Sequence, residues 1–302
     1  MIEAKKIRGG ALLARALQEK GVEHVFTLSG GFCNPALEGF MECQMKVINC
    51  PHEQVAGHIA DGHTRITRKP AVCLVGPEGF ANAVPAMMEA WGERSPVIFV
   101  TGSSTIKRQG SGGFKEIDDV AIAKPLTKYS VSIKDGARIN EFVDRAFKVA
   151  LNGYPGAVHL SLPVDLMFSS FPEDAGRHER PFDLKSQVPS RAWPEPSRLK
   201  QFLGKLDAAN HPVLIGGHGV WWSGAETYLE EAGRILGIPV FNIPYHQKLL
   251  GEECEAYMGL ADIHQYHPSA DAFNESDLVI MVGARLDNQM NFGNPPLFPK
   301  ST

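Results

Sequence analysis

The stretch from Lys46 to Gly102 constrains the fold of this chain more than any other part of the sequence. It contains three apolar runs rich in β-branched residues, at Val47–Ile48, Ala71–Val75 and Val97–Thr101, and a segment with helical periodicity separates each pair. Alternation of strand and helix is typical of βαβ units built around a parallel sheet. We therefore predict an α/β fold with a doubly wound, mostly parallel sheet.

Glu53 stands where the first of these strands gives way to its helix. Ligands of open α/β sheets bind outside the carboxyl ends of the strands, where a carboxylate can share a proton with a ligand nitrogen. An acidic residue in a first helical turn also complements the helix dipole, and the residues alone leave this plainer role open. The helical spacing predicts that one face of the following helix is buried, formed by Val55, Ala56, Ile59, Ala60 and His63.

Several segments share their pattern with one family of enzymes. Residues 51–63, PHEQVAGHIADGH, resemble the HEQAAAHMADGYAR signature of thiamine-diphosphate-dependent enzymes of the acetolactate synthase family. Residues 71–82 resemble the next strand and its glycine-rich SGPGATN turn, and residues 95–104 resemble the strand and turn after that. Residues 113–118 and 125–130 are similar to the AFQE.D and PLTKYS segments, particularly of oxalyl-CoA decarboxylases and 2-hydroxyacyl-CoA lyases.

This resemblance implies a thiamine-diphosphate-dependent lyase or transferase that acts on 2-keto acids or 2-hydroxyacyl compounds. It implies that Glu53 is catalytic and hydrogen-bonds N1′ of the cofactor's pyrimidine. The implied cofactor-binding residues are Gly30, Gly31, Glu53, Phe80 and Asn82, and the implied substrate residues are Phe114 and Lys115. Gly30 and Gly31 also fit an ordinary turn that uses glycine for positive φ. Lys115 stands where the family has Gln, so a cation replaces a neutral amide.

The resemblance predicts two domains. We expect a pyrimidine-binding domain over residues 1–168, a linker over 169–194, and a Rossmann-like middle domain over 195–302 that is incomplete at its C-terminal end. In the family this second domain holds FAD or ADP in some members. Gly217 is a candidate for such a nucleotide site, although it belongs to only part of a dinucleotide fingerprint, and Arg285 is a candidate because its guanidinium suits a phosphate.

The family binds the cofactor's diphosphate through Mg²⁺ on a third domain, whose GDG signature this chain lacks. The resemblance therefore implies either that this chain is one subunit of a homo- or hetero-oligomer whose other chain carries the Mg²⁺ ligands, or that it is a fragment of a longer protein. It also implies that the substrate is a keto acid or an acyl-CoA. No histidine spacing here predicts a metal site. Two alternatives remain at this point: a non-catalytic, nucleotide-binding or regulatory partner with the same fold, and a nicotinamide-dependent oxidoreductase.

Composition excludes several other classes of protein. The formal net charge is −4 and no basic cluster predicts nucleic-acid binding. No apolar stretch approaches the roughly 20 residues of a membrane-spanning helix. The 5 cysteines form no CxxC pair and their count is odd, so we expect reduced thiols and a cytoplasmic protein.

Overall fold

The structure, a computed structural model, describes residues 6–175, 192–244, 249–262, 268–295 and 297–298. The chain divides into two compact units, Met1–Ser190 and Arg191–Thr302. Most of the linker expected over residues 169–194 falls on residues 176–191, which lie outside the described residues. The domain boundaries therefore remain a prediction.

The described part of the first unit is a layered α/β structure. Its strands are β1 (Lys6–Arg8), β2 (His24–Thr27), β3 (Lys46–Asn49), β4 (Ala71–Val75), β5 (Val97–Ser103), β6 (Tyr129–Ser132), β7 (Val158–Pro163) and β8 (Ser170–Pro172). Its helices are α1 (Gly9–Glu19), α2 (Asn34–Glu42), α3 (Glu53–Thr67), α4 (Pro77–Gly92), α5 (Asp119–Ala123), α6 (Ile139–Leu151) and α7 (Val164–Phe168). Strands β2 to β7 form a parallel sheet in the order β3-β2-β4-β5-β7-β6, and β1 pairs antiparallel with β8.

Apolar side chains cover both faces of this sheet. Val72 and Leu74 of β4 belong to a core that includes residues of α1, α2 and α6. Cys73 and Val75 of the same strand belong to the opposite core, which includes residues of α3 and α4. The helices after β2 and β3 thus lie on opposite faces, which confirms the doubly wound fold and places its switch point beside β2.

One face of α3 differs from the prediction. Ala56 and Ala60 are fully buried as expected, but Val55 is 37% exposed and Ile59 is 41% exposed. Small residues allow α3 to approach α4 closely, since an added Cβ on Gly57 would lie 2.5 Å from the Cβ of Ala86. The buried face of α3 is therefore its small-residue face, and the larger β-branched side chains point away from it.

The second unit repeats the α/β pattern on a smaller scale. Its described elements are α8 (Pro196–Ala208), β9 (Pro212–Gly216), α9 (His218–Ser223), α10 (Glu226–Leu236), β10 (Val240–Asn242), β11 (Tyr257–Leu260), α11 (Pro268–Glu275) and β12 (Leu278–Val282). The 4 strands are parallel, in the order β11-β10-β9-β12. This topology confirms a second parallel-sheet domain.

Candidate functional site

Three turns meet at the carboxyl edge of the first sheet, at its switch point. The turn after β2 contains Gly30 and Gly31, the chain enters α3 at Glu53 after β3, and Gly76 leads from β4 into α4. These turns are neighbours because β2 pairs with both β3 and β4. Ligands of doubly wound sheets bind at this position.

The Glu53 side chain is held against the first turn of α4. It is the first residue of α3 and is only 9% exposed. Its Oε2 accepts a hydrogen bond from Nδ2 of Asn82 at 3.0 Å. A Cβ added to Gly79 would lie 2.6 Å from both Cγ and Oε1 of Glu53, so this carboxyl group occupies the space above the glycine. Two contacts with α4 therefore fix the direction in which the carboxyl group points.

The turn after β2 is open on its outer side. Gly30 and Gly31 are exposed, and a Cβ added to either would meet no atom within 4 Å. Neither residue has a positive φ. The interpretation that this turn uses glycine to reach a positive φ is therefore wrong. The backbone N–H of Ser29 donates to Oδ1 of Asn49 at 2.9 Å, which ties the turn to the end of β3. Nothing in the described packing requires glycine at these two positions.

Asn82 and Phe80 occupy different sides of the first turns of α4. The Asn82 amide reaches the Glu53 carboxyl group, as described above. The Phe80 ring is fully buried and packs against the ring of His159 at 5.0 Å between centroids. Of the predicted cofactor-binding residues, Gly30, Gly31 and Asn82 are exposed at the carboxyl edge of the sheet, whereas Phe80 lies buried behind that edge.

Phe114 and Lys115 lie on the loop of residues 107–118 and contact two of the three turns. The Phe114 ring stacks on Phe32, with 6.3 Å between centroids and 10° between ring planes. Nζ of Lys115 donates to Oε1 of Glu78 at 2.7 Å, and this hydrogen bond lowers the pKa of the Glu78 carboxyl group. The loop thus brings both predicted substrate residues to the edge that holds Glu53.

A buried polar cluster behind this edge was not predicted from the sequence. His159 is fully buried, with Nε2 2.9 Å from Oγ1 of Thr101 and Nδ1 2.9 Å from Oγ of Ser130. Burial lowers the pKa of His159 to about 3, so the ring is neutral near pH 7. Burial also raises the pKa of Asp119, whose Oδ2 lies 3.9 Å from Nε2 of His159. The cluster joins three strands and α5 directly beneath Phe80.

In the second unit, packing explains the glycine of the predicted nucleotide site. A Cβ on Gly217 would collide with Cα of Ala284, so the turn after β9 fits tightly against the turn after β12. Nε of Arg285 lies 3.5 Å from Oδ2 of Asp287. Gly217 is therefore required for contact between two turns of the chain, and its presence is no argument for a bound nucleotide.

The described residues contain neither a candidate metal site nor a membrane-spanning helix. No group of three or more His, Cys, Asp or Glu side chains in that part of the chain could hold a metal ion. No helix among those described is both long enough and apolar enough to cross a membrane.

Comparison with known proteins decides the family. Residues 7–122 match the family described as thiamine pyrophosphate enzyme, N-terminal TPP binding domain, and residues 199–302 match the central domain of the same enzymes. The chain belongs to the thiamine pyrophosphate enzyme family. The first match contains Glu53 and the three turns around it, and the family resemblance read from the sequence is confirmed.

Named relatives within the family are acetolactate synthases and a lyase. The chain is 30% identical to the mitochondrial acetolactate synthase of Schizosaccharomyces pombe, over 96% of this chain and 44% of that protein. It is 28% identical to the 2-hydroxyacyl-CoA lyase of Arabidopsis thaliana, over 97% of this chain and 50% of that protein. The chain spans about half the length of the curated relatives it matches.

A solved structure supports the same fold. The thiamine diphosphate-dependent 4-hydroxybenzoylformate decarboxylase of Rhodococcus jostii RHA1 superimposes with a TM-score of 0.82, over 98% of this chain and 55% of that one. The two sequences are 21% identical. At this identity the likeness supports the α/β fold and says nothing of the substrate.

Proposed function

We propose that this chain supplies the pyrimidine-binding half of a thiamine-diphosphate-dependent enzyme that cleaves or forms C–C bonds of 2-keto acids or 2-hydroxyacyl compounds. The observation that carries the proposal is the Glu53 carboxyl group, which Asn82 and Gly79 hold at the switch point of a doubly wound sheet. Family membership alone would leave open whether the catalytic carboxylate has been retained in a usable position.

The residues present fit the pyrimidine of this cofactor. Asn82 donates a hydrogen bond to one carboxyl oxygen of Glu53, and only 9% of the Glu53 residue is exposed. A carboxyl group in such a position can hold a proton against a ring nitrogen. Gly30 and Gly31 leave the neighbouring surface free of side chains, and no packing in the described chain accounts for those glycines. A flat ring lying over this turn would account for them.

Glu53 would act by holding a proton at N1′ of the pyrimidine, and Asn82 would keep the carboxyl group turned toward that atom. When bound, thiamine diphosphate supplies an electron sink for cleavage next to a carbonyl group. Phe114 and Lys115 would line the substrate side. Stacking on Phe32 and the backbone hydrogen bonds to Glu116 hold the loop that carries them.

The diphosphate and its Mg²⁺ would be bound by a domain outside these 302 residues, carried by another chain of a homo- or hetero-oligomer or by a longer form of this protein. The sequence contains no GDG signature, and its curated relatives are about twice as long. We call the chain together with that diphosphate-binding part the assembled enzyme.

The 5 cysteines are free thiols, which supports a cytoplasmic location.

A non-catalytic nucleotide-binding partner is the competing proposal. It gives no reason for the carboxyl group of Glu53 to be held by Asn82 and Gly79. It would also require a nucleotide site in the second unit, where packing against Ala284 already explains Gly217. The contacts of both units therefore favour the catalytic proposal.

The substitution Glu53→Gln tests the proposal, because Gln keeps the size of the side chain and removes the acidic proton. In the assembled enzyme we expect unchanged thermal unfolding and a drop of about 10²- to 10⁴-fold in both turnover and exchange of the cofactor C2 proton with D₂O. Glu42→Gln, at the exposed end of α2, is the matched control and should change neither rate. Wild-type exchange in the Glu53→Gln variant would refute the role.

A further inference from the structure

The Lys115–Glu78 ion pair connects two segments at the edge of the site. Nζ of Lys115 lies 2.7 Å from Oε1 of Glu78, and the side chains are 45% and 46% exposed. Glu78 lies in the first turn of α4, directly before Gly79, whose Cα faces the Glu53 carboxyl group. Lys115 therefore contacts the residue directly before the glycine that positions the Glu53 carboxyl group.

The loop holds Lys115 in place independently of this ion pair. The neighbouring Phe114 ring stacks on Phe32, and Nζ of Lys115 lies 5.0 Å from the centroid of the Phe114 ring. The Glu116 carboxyl group accepts backbone hydrogen bonds from Gly110 at 2.6 Å and Gly113 at 3.0 Å. Lys115 itself has a φ of 51°, a left-handed conformation that is uncommon for a residue with a side chain. Contacts on both sides of Lys115 thus fix the backbone from which it projects.

Glu78 is an exchangeable partner for this cation. Both groups are close to half exposed, and exposed ion pairs contribute little net stability because water solvates the separated charges well. An incoming anion can therefore replace Glu78 at Lys115 with only a small loss of free energy from the broken ion pair. The exchange would also free the Glu78 carboxylate to return to solvent, where half of its surface already lies.

We propose that Lys115 is a specificity-determining residue that binds an anionic group of the substrate remote from the reacting carbonyl, in exchange for Glu78. This inference rests on the proposed function and deepens it by naming a substrate class: compounds with a carboxylate or phosphate besides the group at the reaction centre. The nearby Phe114 ring, 68% exposed, would cover the apolar part of such a substrate.

Catalysis itself argues that the anion is remote. Binding energy accelerates a reaction only when the interaction is stronger in the transition state than in the ground state. A lysine bound to a carboxylate that leaves as CO₂ loses its partner as the reaction proceeds, so it would stabilise the ground state. A lysine bound to a distant anion keeps the same interaction throughout, and contributes to substrate selection without slowing the reaction.

The test compares substrates that differ in one distant charge. Binding of 2-oxoglutarate and of 2-oxopentanoate, in which a methyl group replaces the distal carboxylate, is measured by calorimetric titration of the assembled enzyme, with and without thiamine diphosphate. We expect Lys115→Gln to weaken 2-oxoglutarate binding about tenfold, the size typical of one charge-assisted hydrogen bond, and to change 2-oxopentanoate binding less than twofold. Glu78→Gln should strengthen 2-oxoglutarate binding because it removes the competing anion.

A third probe and a control complete the experiment. A 2-hydroxyacyl-CoA thioester tests whether the remote anion is a phosphate and not a carboxylate. If Lys115→Gln weakens the binding of this probe alone, the proposal is supported with a phosphate as the anion. Lys69→Gln removes another exposed ion pair, 3.8 Å from Glu23, and should change none of the affinities. The proposal is overturned when Lys115→Gln leaves all three affinities unchanged or weakens the charged and methyl-ended probes equally.

Failure of the proposed function gives a separate result. Thiamine diphosphate binding is titrated in the assembled enzyme, with wild-type chain and with Lys115→Gln. Absence of cofactor binding in the wild type contradicts the proposed function, whatever the probes show. Normal cofactor binding with no charge-dependent effect at Lys115 contradicts only the specificity assignment.

Discussion

The substitution Gly79→Ala is expected to separate stability from catalysis in this protein. The added methyl group would lie 2.6 Å from Cγ and Oε1 of Glu53 and 2.9 Å from Cδ, whereas ordinary contacts begin near 3.4 Å. The Glu53 side chain must therefore move by about 0.8 Å or turn to another rotamer. Either movement weakens its 3.0 Å hydrogen bond with Asn82.

The effect on stability should be small because two contributions oppose each other. Alanine in place of glycine in a helix gains up to about 1 kcal/mol. Weakening a hydrogen bond to a charged group costs about 1.5–3 kcal/mol, and less when water can reach the separated groups. The free energy of unfolding should therefore fall by no more than about 2 kcal/mol. Turnover should fall about 10²-fold, since a displacement near 1 Å can have that effect on a positioned group.

Urea unfolding measures the stability term, and steady-state turnover of the assembled enzyme measures the catalytic one. Gly204→Ala, inside α8, is the matched control because an added Cβ there meets nothing within 4 Å. That variant should be stabilised by about 0.5–1 kcal/mol with unchanged turnover. Full turnover in Gly79→Ala would refute the reasoning, because it would mean that the direction of the Glu53 carboxyl group is unimportant.

Two further predictions concern buried ionisable groups. Lys20→Met should lower the free energy of unfolding by about 3–5 kcal/mol in denaturant unfolding, because its ion pair with Asp144 at 2.6 Å is almost fully buried. Adding Asp144→Leu to the same chain should restore much of this loss, because no unpaired charge is then left buried. A loss below about 1 kcal/mol in Lys20→Met would contradict the prediction. The pKa of His159 is about 3 in the folded chain against 6.5 for a free histidine, so the unfolded chain binds the extra proton between these values. The free energy of unfolding should fall as the pH drops from 6.5 toward 3, by up to about 1.4 kcal/mol per pH unit, and His159→Gln should flatten this slope in a urea series; an unchanged slope would contradict the assignment.

The sheet and the catalytic candidate could be predicted because their signals are local. β4 spans the predicted Ala71–Val75, and β5 begins at the predicted Val97. Long β-branched runs identify strands that are buried on both faces. Glu53 could be placed because a strand and a helix meet at that residue, and a residue at such a junction must lie at the edge of the sheet.

Other features depend on contacts between distant residues. His159 lies in an apolar strand with no motif around it, and its partners Thr101 and Ser130 come from two other strands. The burial of Ala56 in place of Val55 follows from the close approach of α4, which periodicity within α3 cannot reveal. The pairing of Lys115 with Glu78 joins positions 37 residues apart. The fold brings these partners together, and no pattern within one segment can reveal a contact with another.

The most direct test of the central claim is native mass spectrometry of this protein, purified gently from its own host in the presence of thiamine diphosphate and Mg²⁺. The account predicts a complex in which this chain is joined by a diphosphate-binding part and retains the cofactor. It also predicts that Gly79→Ala and Glu53→Gln assemble normally but hold the cofactor less firmly. A fully assembled wild-type complex without thiamine diphosphate would contradict the account.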